Sequence, residues 1–518
     1  MLFITILCWA AYLRFKDLTV NPPGMFPDEA SSGYDAWCLL NYGVDQHGQP
    51  WPFFFRSFAD DLTGTYRYMV LLSQILWGPT LFATRLPAAF LSMCIVLLLY
   101  LSVKNWLGKW PAILAAFWSA SSPWLLPYSR TGQRIILLPF ALTLWFFFRM
   151  RSEKSPSKNR YITAPIILCL SLYTYVAARI VVPLLLLSSL IIDVKPFTRN
   201  HFRNSFVVII IFLIVATPMI WHAIENPEQF TLRYQQVSIW QQNQSFMNNS
   251  IQFFRNYLSH FSPSFLFISG DSNIRHSQRG FGELFWSIIP FLLSGLFVSI
   301  RYRNQTAKLL LGWLLIAPIP AAMSIDGNPH ALRSMSMVIP AILLSALGAK
   351  YLLQIYSKNT IIRIGFTTAI VLGVAEGVWV HYDLMVEYPK YSAADWEYGS
   401  REAVANGMML SSSYDEIWIT SRALGMDRII ALELLIPPKD FADYLEKCKK
   451  APLDTPVGHT VFHWNYFIPI SDVIARVSPA RRLFIVRDME VPFANEVLDP
   501  IIRPDGSIAF RFVTFPYP

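Results

Sequence analysis

The chain has 518 residues, of which 54% are hydrophobic and only 15% are charged, and its mean hydropathy is +0.37. A soluble domain has about a quarter charged residues, so this composition excludes an ordinary soluble protein and indicates an integral membrane protein. The formal net charge is +9. The basic residues lie in short loops between apolar runs, which is a topology signal and argues against nucleic acid as a partner.

The five cysteines are scattered, and no pair has the spacing of metal ligands or of a disulfide framework. Apolar runs long enough for helices predict eleven transmembrane spans. We place them at residues 2–13, 81–103, 111–127, 135–149, 161–178, 180–192, 205–222, 284–300, 307–323, 335–356 and 362–380. The first run has no basic segment before it, so we interpret it as an uncleaved helix and not as a signal peptide. It is short for a span, which suggests that a few residues are missing upstream.

The loops between the spans alternate in charge. Five alternate loops are basic, with Glu153 and Asp193 as their only acids; they carry Lys104, Lys109, Arg149, Arg151, Lys154, Lys158, Arg160, Lys195, Arg199, Arg203, Arg301, Arg303, Lys308, Lys350, Lys358 and Arg363. The positive-inside rule places these loops in the cytoplasm. It places residues 14–80, 223–283 and 324–334, and everything after 381, outside the cytoplasmic membrane.

The tail differs from the rest of the chain because apolar runs alternate with polar turns. We predict a small extracytoplasmic α/β domain at 382–518, following a transmembrane domain at 1–381. The pattern predicts a helix at 393–410, strands at 416–420, 459–463 and 482–486, and a hairpin of 497–503 and 508–515 joined by Pro504-Asp505-Gly506. This domain binds an acceptor or braces the outer loops, and bracing is the simpler interpretation.

The first outer loop, 14–80, contains two adjacent acids in the stretch Pro27-Asp28-Glu29-Ala30. Pro27 suits the first position of a helix over 30–42, and acids in a first turn are favoured by the helix dipole. Asp35 lies seven residues after Asp28 and so shares its helix face. A second apolar stretch, 66–77, predicts another short helix, and both helices are expected to lie in the membrane interface.

Asp60 and Asp61 follow an aromatic stretch in the same loop. These acids beside a membrane, with little basic compensation, indicate acid/base chemistry or metal binding. A solvated acidic loop without chemistry is the alternative.

Several cationic residues are exceptions to the positive-inside rule, because they lie at the outer starts of three predicted spans. They are Arg130 and Arg134, four apart on one helix face, then Arg179, then His330 and Arg333. Asn328 is the expected N-cap and Pro329 the first helical residue of the last of these spans. Helix N-termini carry free N–H groups, and the guanidinium fork fits phosphate oxygens, so these positions predict a lipid-phosphate site. Snorkelling to lipid headgroups is the alternative for each arginine.

These residues resemble the motifs of GT-C glycosyltransferases, in particular the bacterial branch related to protein O-mannosyltransferases and the aminoarabinose transferase of lipid A. The resemblance covers residues 1 to about 405. It is carried by Pro27-Asp28-Glu29-Ala30, Gly33-Tyr34-Asp35-Ala36, Gly43, Asp45, Gly48, Pro50, Phe55-Arg56-Ser57-Phe58, Asp60, Tyr173-Thr174-Tyr175, Ala177-Ala178-Arg179, Pro329-His330-Ala331-Leu332-Arg333, Tyr388-Pro389, Trp396, Tyr398-Gly399 and Glu402-Ala403.

The resemblance implies a GT-C-like fold and transfer of a sugar from a polyprenyl-phosphate carrier to a glycan, lipid or protein acceptor outside the bacterial cytoplasmic membrane. Asp28 is then the base, and Glu29 and Asp60 position the acceptor or Asp28. Arg130, Arg134, Arg179, His330 and Arg333 hold the donor phosphate. One base opposite one leaving group suggests single displacement with inversion.

One departure from the family concerns a lysine that often follows the second acid, where this chain has Leu62-Thr63-Gly64. Arg67 is the nearest substitute for a phosphate contact, and Asp35, Asp61 and Arg67 are assigned to acceptor binding or loop support. We favour metal-independent transfer, because the arginines already neutralise the phosphate. A divalent metal held by Asp28, Glu29, Asp60 and His330 is the alternative.

A transporter or flippase without transferase chemistry is the alternative function. It predicts charges inside the spans and related halves of the sequence. Glu376 is the only acid clearly within a predicted span, and no repeat is evident. A scaffold without chemistry leaves the arginines unexplained.

Overall fold

The computed structural model describes the chain in twelve segments: residues 1–57, 60–154, 158–193, 199–241, 245–302, 304–326, 328–356, 358–419, 425–443, 463–464, 481–487 and 495–514. Everything below concerns these residues.

Helices dominate the described chain. The first ten are α1 (Leu2–Phe15), α2 (Pro27–Tyr42), α3 (Thr65–Trp77), α4 (Leu81–Leu107), α5 (Lys109–Ser121), α6 (Leu125–Ser129), α7 (Leu137–Lys154), α8 (Lys158–Leu170), α9 (Ala178–Asp193) and α10 (Arg199–Glu225). The others are α11 (Pro227–Val237), α12 (Phe246–Ser259), α13 (Ile289–Arg301), α14 (Gln305–Ile316), α15 (Ile319–Ala322), α16 (Ala331–Ser334), α17 (Val338–Tyr356), α18 (Thr360–Tyr382), α19 (Tyr388–Tyr391), α20 (Ser400–Leu410) and α21 (Met426–Glu433).

The strands form two sheets. The first is a pair made by β1 (Phe54–Ser57) and β2 (Asp60–Thr63). The second has the order β4-β3-β5-β7-β6, built from β3 (Glu416–Ile419), β4 (His463–Trp464), β5 (Arg482–Val486), β6 (Asn495–Ile502) and β7 (Ile508–Thr514). β3 runs parallel to β4 and β5, whereas β7 runs antiparallel to β5 and β6.

The chain divides into two compact units. The helical unit comprises Met1–Lys16, Arg56–Thr65 and Ala88–Leu384, and the mixed unit comprises Asp17–Phe55, Tyr66–Pro87 and Met385–Pro518. Our sequence interpretation placed the whole first loop with the spans, at 1–381. The structure instead groups most of that loop with the C-terminal residues.

Every one of the eleven predicted runs overlaps a described helix. Within the described segments, five helical stretches are long and apolar enough to cross a bilayer by length and composition, and the count of eleven spans stays a prediction. These five are Leu81–Leu107, Ser205–Glu225, Gln305–Ala322, Ala331–Tyr356 and Thr360–Tyr391. The chain is therefore an integral membrane protein.

Close packing and buried polar side chains hold the helical unit together. An added Cβ at Gly295 would lie 1.9 Å from the Leu344 carbonyl oxygen, so α13 and α17 touch backbone to backbone, as small residues permit in membranes. The buried guanidinium of Arg14 donates to Ser92 Oγ at 2.7 Å and to the Ala120 carbonyl oxygen at 2.9 Å, which ties α1 to α4 and α5.

Glu376, the acid singled out in a predicted span, caps the turn that leads into α13. Its carboxylate accepts the backbone N–H groups of Trp286 at 2.7 Å and Ser287 at 3.1 Å. An acid at a helix N-terminus satisfies N–H groups that have no intrahelical partner. This structural role accounts for its position in an apolar helix.

The mixed unit has one apolar core to which both ends of the chain contribute. Tyr34 and Trp37 of α2 are buried with Ile417, Ile485 and Phe512 of the sheet. The Tyr34 hydroxyl donates to the carbonyl oxygen of Ile436 at 2.7 Å. The apolar face of α2 therefore belongs to the C-terminal core, which explains why the first loop clusters with the tail.

The strands predicted in the tail are present as β3, β5, β6 and β7, and β6 and β7 form the predicted hairpin. Of the predicted strand 459–463, residues 459–462 lie outside the described chain. The helix predicted at 393–410 begins only at Ser400, because Gly399 before it has the left-handed backbone φ of 83°. The sequence did not predict the β1–β2 pair.

Candidate active site

The start of α2 has the local chemistry expected from its sequence. Pro27 occupies the first turn, and Glu29 Oε2 accepts the backbone N–H of Phe26 at 3.0 Å. Gly43 ends the helix in the left-handed region, with φ 70°, and donates its N–H to the Leu39 carbonyl oxygen at 3.0 Å. The predicted helix and the acids in its first turn are confirmed.

Glu29 is fully buried and paired with Arg85. Arg85 Nε donates to Glu29 Oε1 at 2.8 Å, and Nη2 donates to Oε2 at 3.0 Å. The remaining guanidinium N–H groups donate to the carbonyl oxygens of Leu18, Pro22 and Gly24 at 2.7–3.0 Å. All five donors are used, so this pair fixes the loop that leads into α2.

Asp28, the neighbour of Glu29, is exposed. The two acids therefore have different environments although they are adjacent in sequence. Of the two roles assigned to Glu29, positioning of Asp28 fits this geometry, since Glu29 has no access to solvent. The arrangement presents one carboxylate, that of Asp28, on a rigid helix start.

Asp35 of α2 and Arg67 of α3 form a second buried pair. Arg67 Nε donates to Asp35 Oδ2 at 2.5 Å, and the Arg67 guanidinium lies 5.0 Å from the Phe55 ring centroid. Gln46 donates to both Asp35 oxygens at 3.0 Å. These contacts fit the role of loop support. The backbones of Asp60 and Asp61 lie in β2, and their side chains lie outside the described residues.

Arg130 and Arg134 do not share a helix face, and that expectation was wrong. Arg130 is the C-cap of α6, and Arg134 starts a separate 3-10 turn before α7. The Arg130 guanidinium is fully buried and donates to the carbonyl oxygens of Leu13 and Lys16 at the end of α1. It thus satisfies carbonyl groups that a helix end leaves without intrahelical partners.

Arg134 and Arg179 are half-buried at neighbouring turns. The Arg134 guanidinium lies 5.6 Å from the centroid of the Tyr175 ring, in the turn that precedes α9. Arg179 is the second residue of α9, as predicted for the start of that span. The structure therefore brings two of the predicted helix starts together.

Arg333 lies in α16, for which His330 and not Asn328 is the N-cap. The expected cap was wrong: Asn328 instead donates its side-chain amide to the Ser324 carbonyl oxygen at 2.7 Å. Arg333 Nη2 donates to Asp326 Oδ2 at 3.1 Å. Its other terminal nitrogen, Nη1, has no hydrogen-bond partner among the described residues.

His330 belongs to a buried cluster that the sequence did not predict. Asp271 Oδ2 lies 3.0 Å from His276 Nδ1 and 3.8 Å from His330 Nδ1, and it accepts the Ala331 backbone N–H at 2.8 Å. Burial, together with the charges of His276 and Arg333, lowers the pKa of His330 to about 3. His330 is therefore a neutral imidazole at neutral pH, able to offer a phosphate a hydrogen bond but no charge.

Burial by itself would raise the pKa of Asp271. The hydrogen bond and charge of His276, with the backbone N–H groups of Asn273 and Ala331, hold that pKa below its usual value. Burial and the nearby Asp271 carboxylate raise the pKa of Glu283 well above its usual value. The two carboxyl groups therefore have pKa values that are shifted in opposite directions, down for Asp271 and up for Glu283.

Ring contacts join this cluster to the neighbouring turns of the helical unit. The His276 ring stacks on His330 with centroids 4.9 Å apart and on Tyr128 at 6.3 Å. Trp124 Nε1 donates to the Ala331 carbonyl oxygen at 2.9 Å. These contacts place the segment that precedes Arg130 beside the start of α16, which carries Arg333. Asp28 belongs to the other unit, and a common site with it stays a prediction.

Sequence reasoning missed Arg85, Arg14 and the Asp271 cluster. A signal existed for Arg85, which is a charged residue inside an apolar run. No comparable signal existed for Asp271 and His276, because their partner His330 follows more than fifty residues later in the sequence.

Comparison with known proteins supports the fold that the sequence motifs predict. Residues 65–222 match the family model described as dolichyl-phosphate-mannose-protein mannosyltransferase. The structure resembles ArnT from Cupriavidus metallidurans in the apo state, with TM-score 0.56, 9% identity, and coverage of 99% of this chain and 97% of that chain. ArnT bound to undecaprenyl phosphate gives TM-score 0.57 with the same identity and coverage.

The Archaeoglobus fulgidus oligosaccharyltransferase tethered with an acceptor peptide also resembles this chain. Its TM-score is 0.51 and its identity 12%, over 83% of this chain and 62% of that chain. The search of curated proteins found no match. The predicted resemblance to the O-mannosyltransferase family is confirmed over residues 65–222, and the fold as a whole resembles that of ArnT.

Proposed function

We propose that this chain, whose fold is that of GT-C glycosyltransferases, transfers a sugar from a polyprenyl-phosphate carrier to an acceptor on the outer side of the bacterial cytoplasmic membrane. The proposal is supported by the ArnT-like fold and by the match to a mannosyltransferase family model. One observation carries it further: Asp28 is exposed at the start of α2, while its neighbour Glu29 is buried and held by Arg85.

The proposed reaction is a single displacement with inversion at the anomeric carbon. The acceptor hydroxyl oxygen forms the new bond to that carbon, and the bond between the carbon and the phosphate oxygen breaks. The hydroxyl proton passes to Asp28, and the electron pair leaves with the polyprenyl phosphate. The products are the glycosylated acceptor and the free lipid phosphate.

Asp28 suits the role of base because its neighbours hold the helix start in place. Pro27 fixes the backbone of the first turn, and the Glu29–Arg85 pair fixes the incoming loop. A base held in one position loses little conformational freedom when the acceptor binds. Asp28 therefore needs no rearrangement of its own helix to meet an acceptor hydroxyl.

Arg333 is the best-supported contact for the leaving phosphate. One of its terminal nitrogens is oriented by Asp326, and Nη1 has no hydrogen-bond partner among the described residues. We propose that Arg134 and Arg179, which lie at neighbouring turns of the same unit, supply further positive charge. Because guanidinium groups stabilise charge that grows on the phosphate, we propose that transfer itself needs no divalent metal.

Arg130 is proposed to act on this phosphate only indirectly. Its guanidinium binds the carbonyl oxygens at the end of α1, so it positions the turn that leads to Arg134. A neutral His330 likewise contributes no charge. The donor phosphate would then contact Arg134, Arg179 and Arg333.

The test is to incubate the purified chain with labelled polyprenyl-phosphate sugars and an acceptor extract, and to follow release of the lipid phosphate. Asp28→Asn keeps the size of the side chain but cannot accept a proton, so turnover should fall by about a hundredfold or more while donor binding survives. Asp440→Asn removes an exposed acid of the same unit and should leave turnover unchanged. Equal turnover in both variants would remove Asp28 as the base.

A further inference from the structure

We propose that Asp271, His276 and His330 bind a zinc ion, which ties the 270–283 loop to the start of α16. One ligand atom from each of the three residues lies within 4.8 Å of the others. This inference concerns the helical unit alone and does not depend on transferase activity.

The spacing of the ligand atoms fits a tetrahedral ion. Zinc bonds of about 2.0–2.1 Å place the ligand atoms of a tetrahedron about 3.3 Å apart. The Asp271 Oδ2 atom lies 3.0 Å from His276 Nδ1 and 3.8 Å from His330 Nδ1, which brackets that value.

Hydrogen bonding alone accounts for two members of the cluster but not for the third. Asp271 and His276 bond to each other, and Asp271 also accepts two backbone N–H groups. His330 is only 7% exposed, yet its Nδ1 atom has no hydrogen-bond partner among the described residues. Buried polar atoms are rarely left without a partner, and an ion bound at Nδ1 supplies one.

The donor set favours zinc over the hard cations. Two imidazole nitrogens and one carboxylate oxygen suit zinc, whereas magnesium and calcium prefer oxygen ligands throughout. His276 binds through Nδ1 in the tautomer that carries its proton on Nε2. Three protein ligands leave a fourth position for water.

His260 lies beside the cluster but is not a ligand. Its Nδ1–H donates to the Asn256 carbonyl oxygen at 2.8 Å, and its Nε2 accepts the His330 backbone N–H at 3.1 Å. Both ring nitrogens are therefore in use. These bonds hold the His330 backbone and so act as support for the proposed ligand.

The loop holds Asp271 ready for an ion. Gly270 has φ 65°, and a Cβ there would lie 2.1 Å from Ser277 Oγ, so the chain is tightly folded at this point. The Asp271 backbone N–H donates to Glu283 Oε1 at 3.1 Å, and Asp271 Oδ1 accepts the Asn273 N–H at 2.9 Å. The carboxylate therefore has its orientation fixed before any metal arrives.

The experiment uses the full chain in detergent, stripped with a chelator and then dialysed against zinc chloride at micromolar free zinc. Bound metal is counted by mass spectrometry, and cobalt(II) replaces zinc to give a ligand-field spectrum. We expect about one zinc per chain in the wild type. His276→Gln and His330→Gln should each lose most of the bound zinc. The control His222→Gln, which changes a histidine outside the cluster, should keep the wild-type zinc content.

Size-exclusion profiles show which variants remain folded, and Asp271→Asn replaces any histidine variant that does not. Zinc should raise the thermal unfolding temperature of the wild type and of His222→Gln but not of the folded cluster variants, and magnesium should raise none. A wild type that binds no zinc overturns the proposal. So do cluster variants that retain the wild-type zinc content, or an equal loss in His222→Gln.

Discussion

Replacing Arg85 by methionine is predicted to open the loop that leads into α2. Its guanidinium makes five hydrogen bonds of 2.7–3.0 Å, to both oxygens of Glu29 and to the carbonyl oxygens of Leu18, Pro22 and Gly24. Methionine fills much of the same space with none of these donors. The Glu29 carboxylate, which is fully buried, would then have no counter-charge.

The size of the effect follows from that buried charge. Removal of one partner of a buried ion pair costs about 3–5 kcal/mol, which is about a 150- to 5,000-fold change in the equilibrium for opening the loop. The Phe26 N–H, which donates to Glu29 Oε2, and the Ala30 N–H, which donates to the Phe26 carbonyl oxygen, report on this opening. Hydrogen exchange of peptides that cover residues 18–30 should accelerate by a comparable factor.

Arg481→Met is the matched control in the same unit. Arg481 pairs with Asp415 at 3.5 Å, and their side chains are 65% and 51% exposed, so the pair contributes about 0–1 kcal/mol. The double variant Arg85→Met with Glu29→Gln should recover part of the protection, because it removes the unpaired charge. Unchanged exchange of residues 18–30 in Arg85→Met would refute this account of the loop.

Three further predictions concern the phosphate site, the topology and the helical unit. Arg333→Ala should lower donor affinity and turnover by about 10- to 150-fold. Arg333→Lys should recover only part of this loss, since an ammonium lacks the bidentate fork of a guanidinium. Equal activity of the lysine variant and the wild type would indicate a snorkelling side chain. In intact cells, a cysteine at Ser411 should react with an impermeant maleimide and one at Ser155 should not; the reverse pattern would invert the topology. Glu376→Gln should destabilise the chain by about 1–3 kcal/mol, because an amide offers one acceptor oxygen where two backbone N–H groups need acceptors. The KM for the donor should not change. An unchanged unfolding temperature would contradict the capping role of Glu376.

Features determined by neighbours in sequence could be predicted. Pro27 before two acids indicates a helix start, and Pro504-Asp505-Gly506 between two alternating runs indicates a hairpin; both are present. The apolar runs likewise predicted helices, because a membrane span must satisfy its backbone groups internally.

Features determined by residues that are distant in sequence could not be predicted. Nothing near Arg130 in sequence shows that its guanidinium binds carbonyl oxygens at the end of α1. The burial of Glu29 beside an exposed Asp28 likewise involves Arg85, 56 positions after Glu29. Local sequence patterns predict the helices and strands and the acids at the start of α2, whereas tertiary contacts determine which of these two acids faces solvent.

The shared core of the mixed unit has a consequence for the order in which the protein is made. Tyr34 of α2 bonds to the carbonyl oxygen of Ile436, 402 positions later. At about 5–20 residues per second, the ribosome supplies that partner about 20–80 s after α2 has emerged. During this interval the described helices from α3 to α21 are synthesised, while the apolar face of α2 has no complete sheet to cover it. The acid-bearing helix therefore gains its core only when the last strands arrive, and a nascent chain stalled before β3 would hold its spans without a folded first loop.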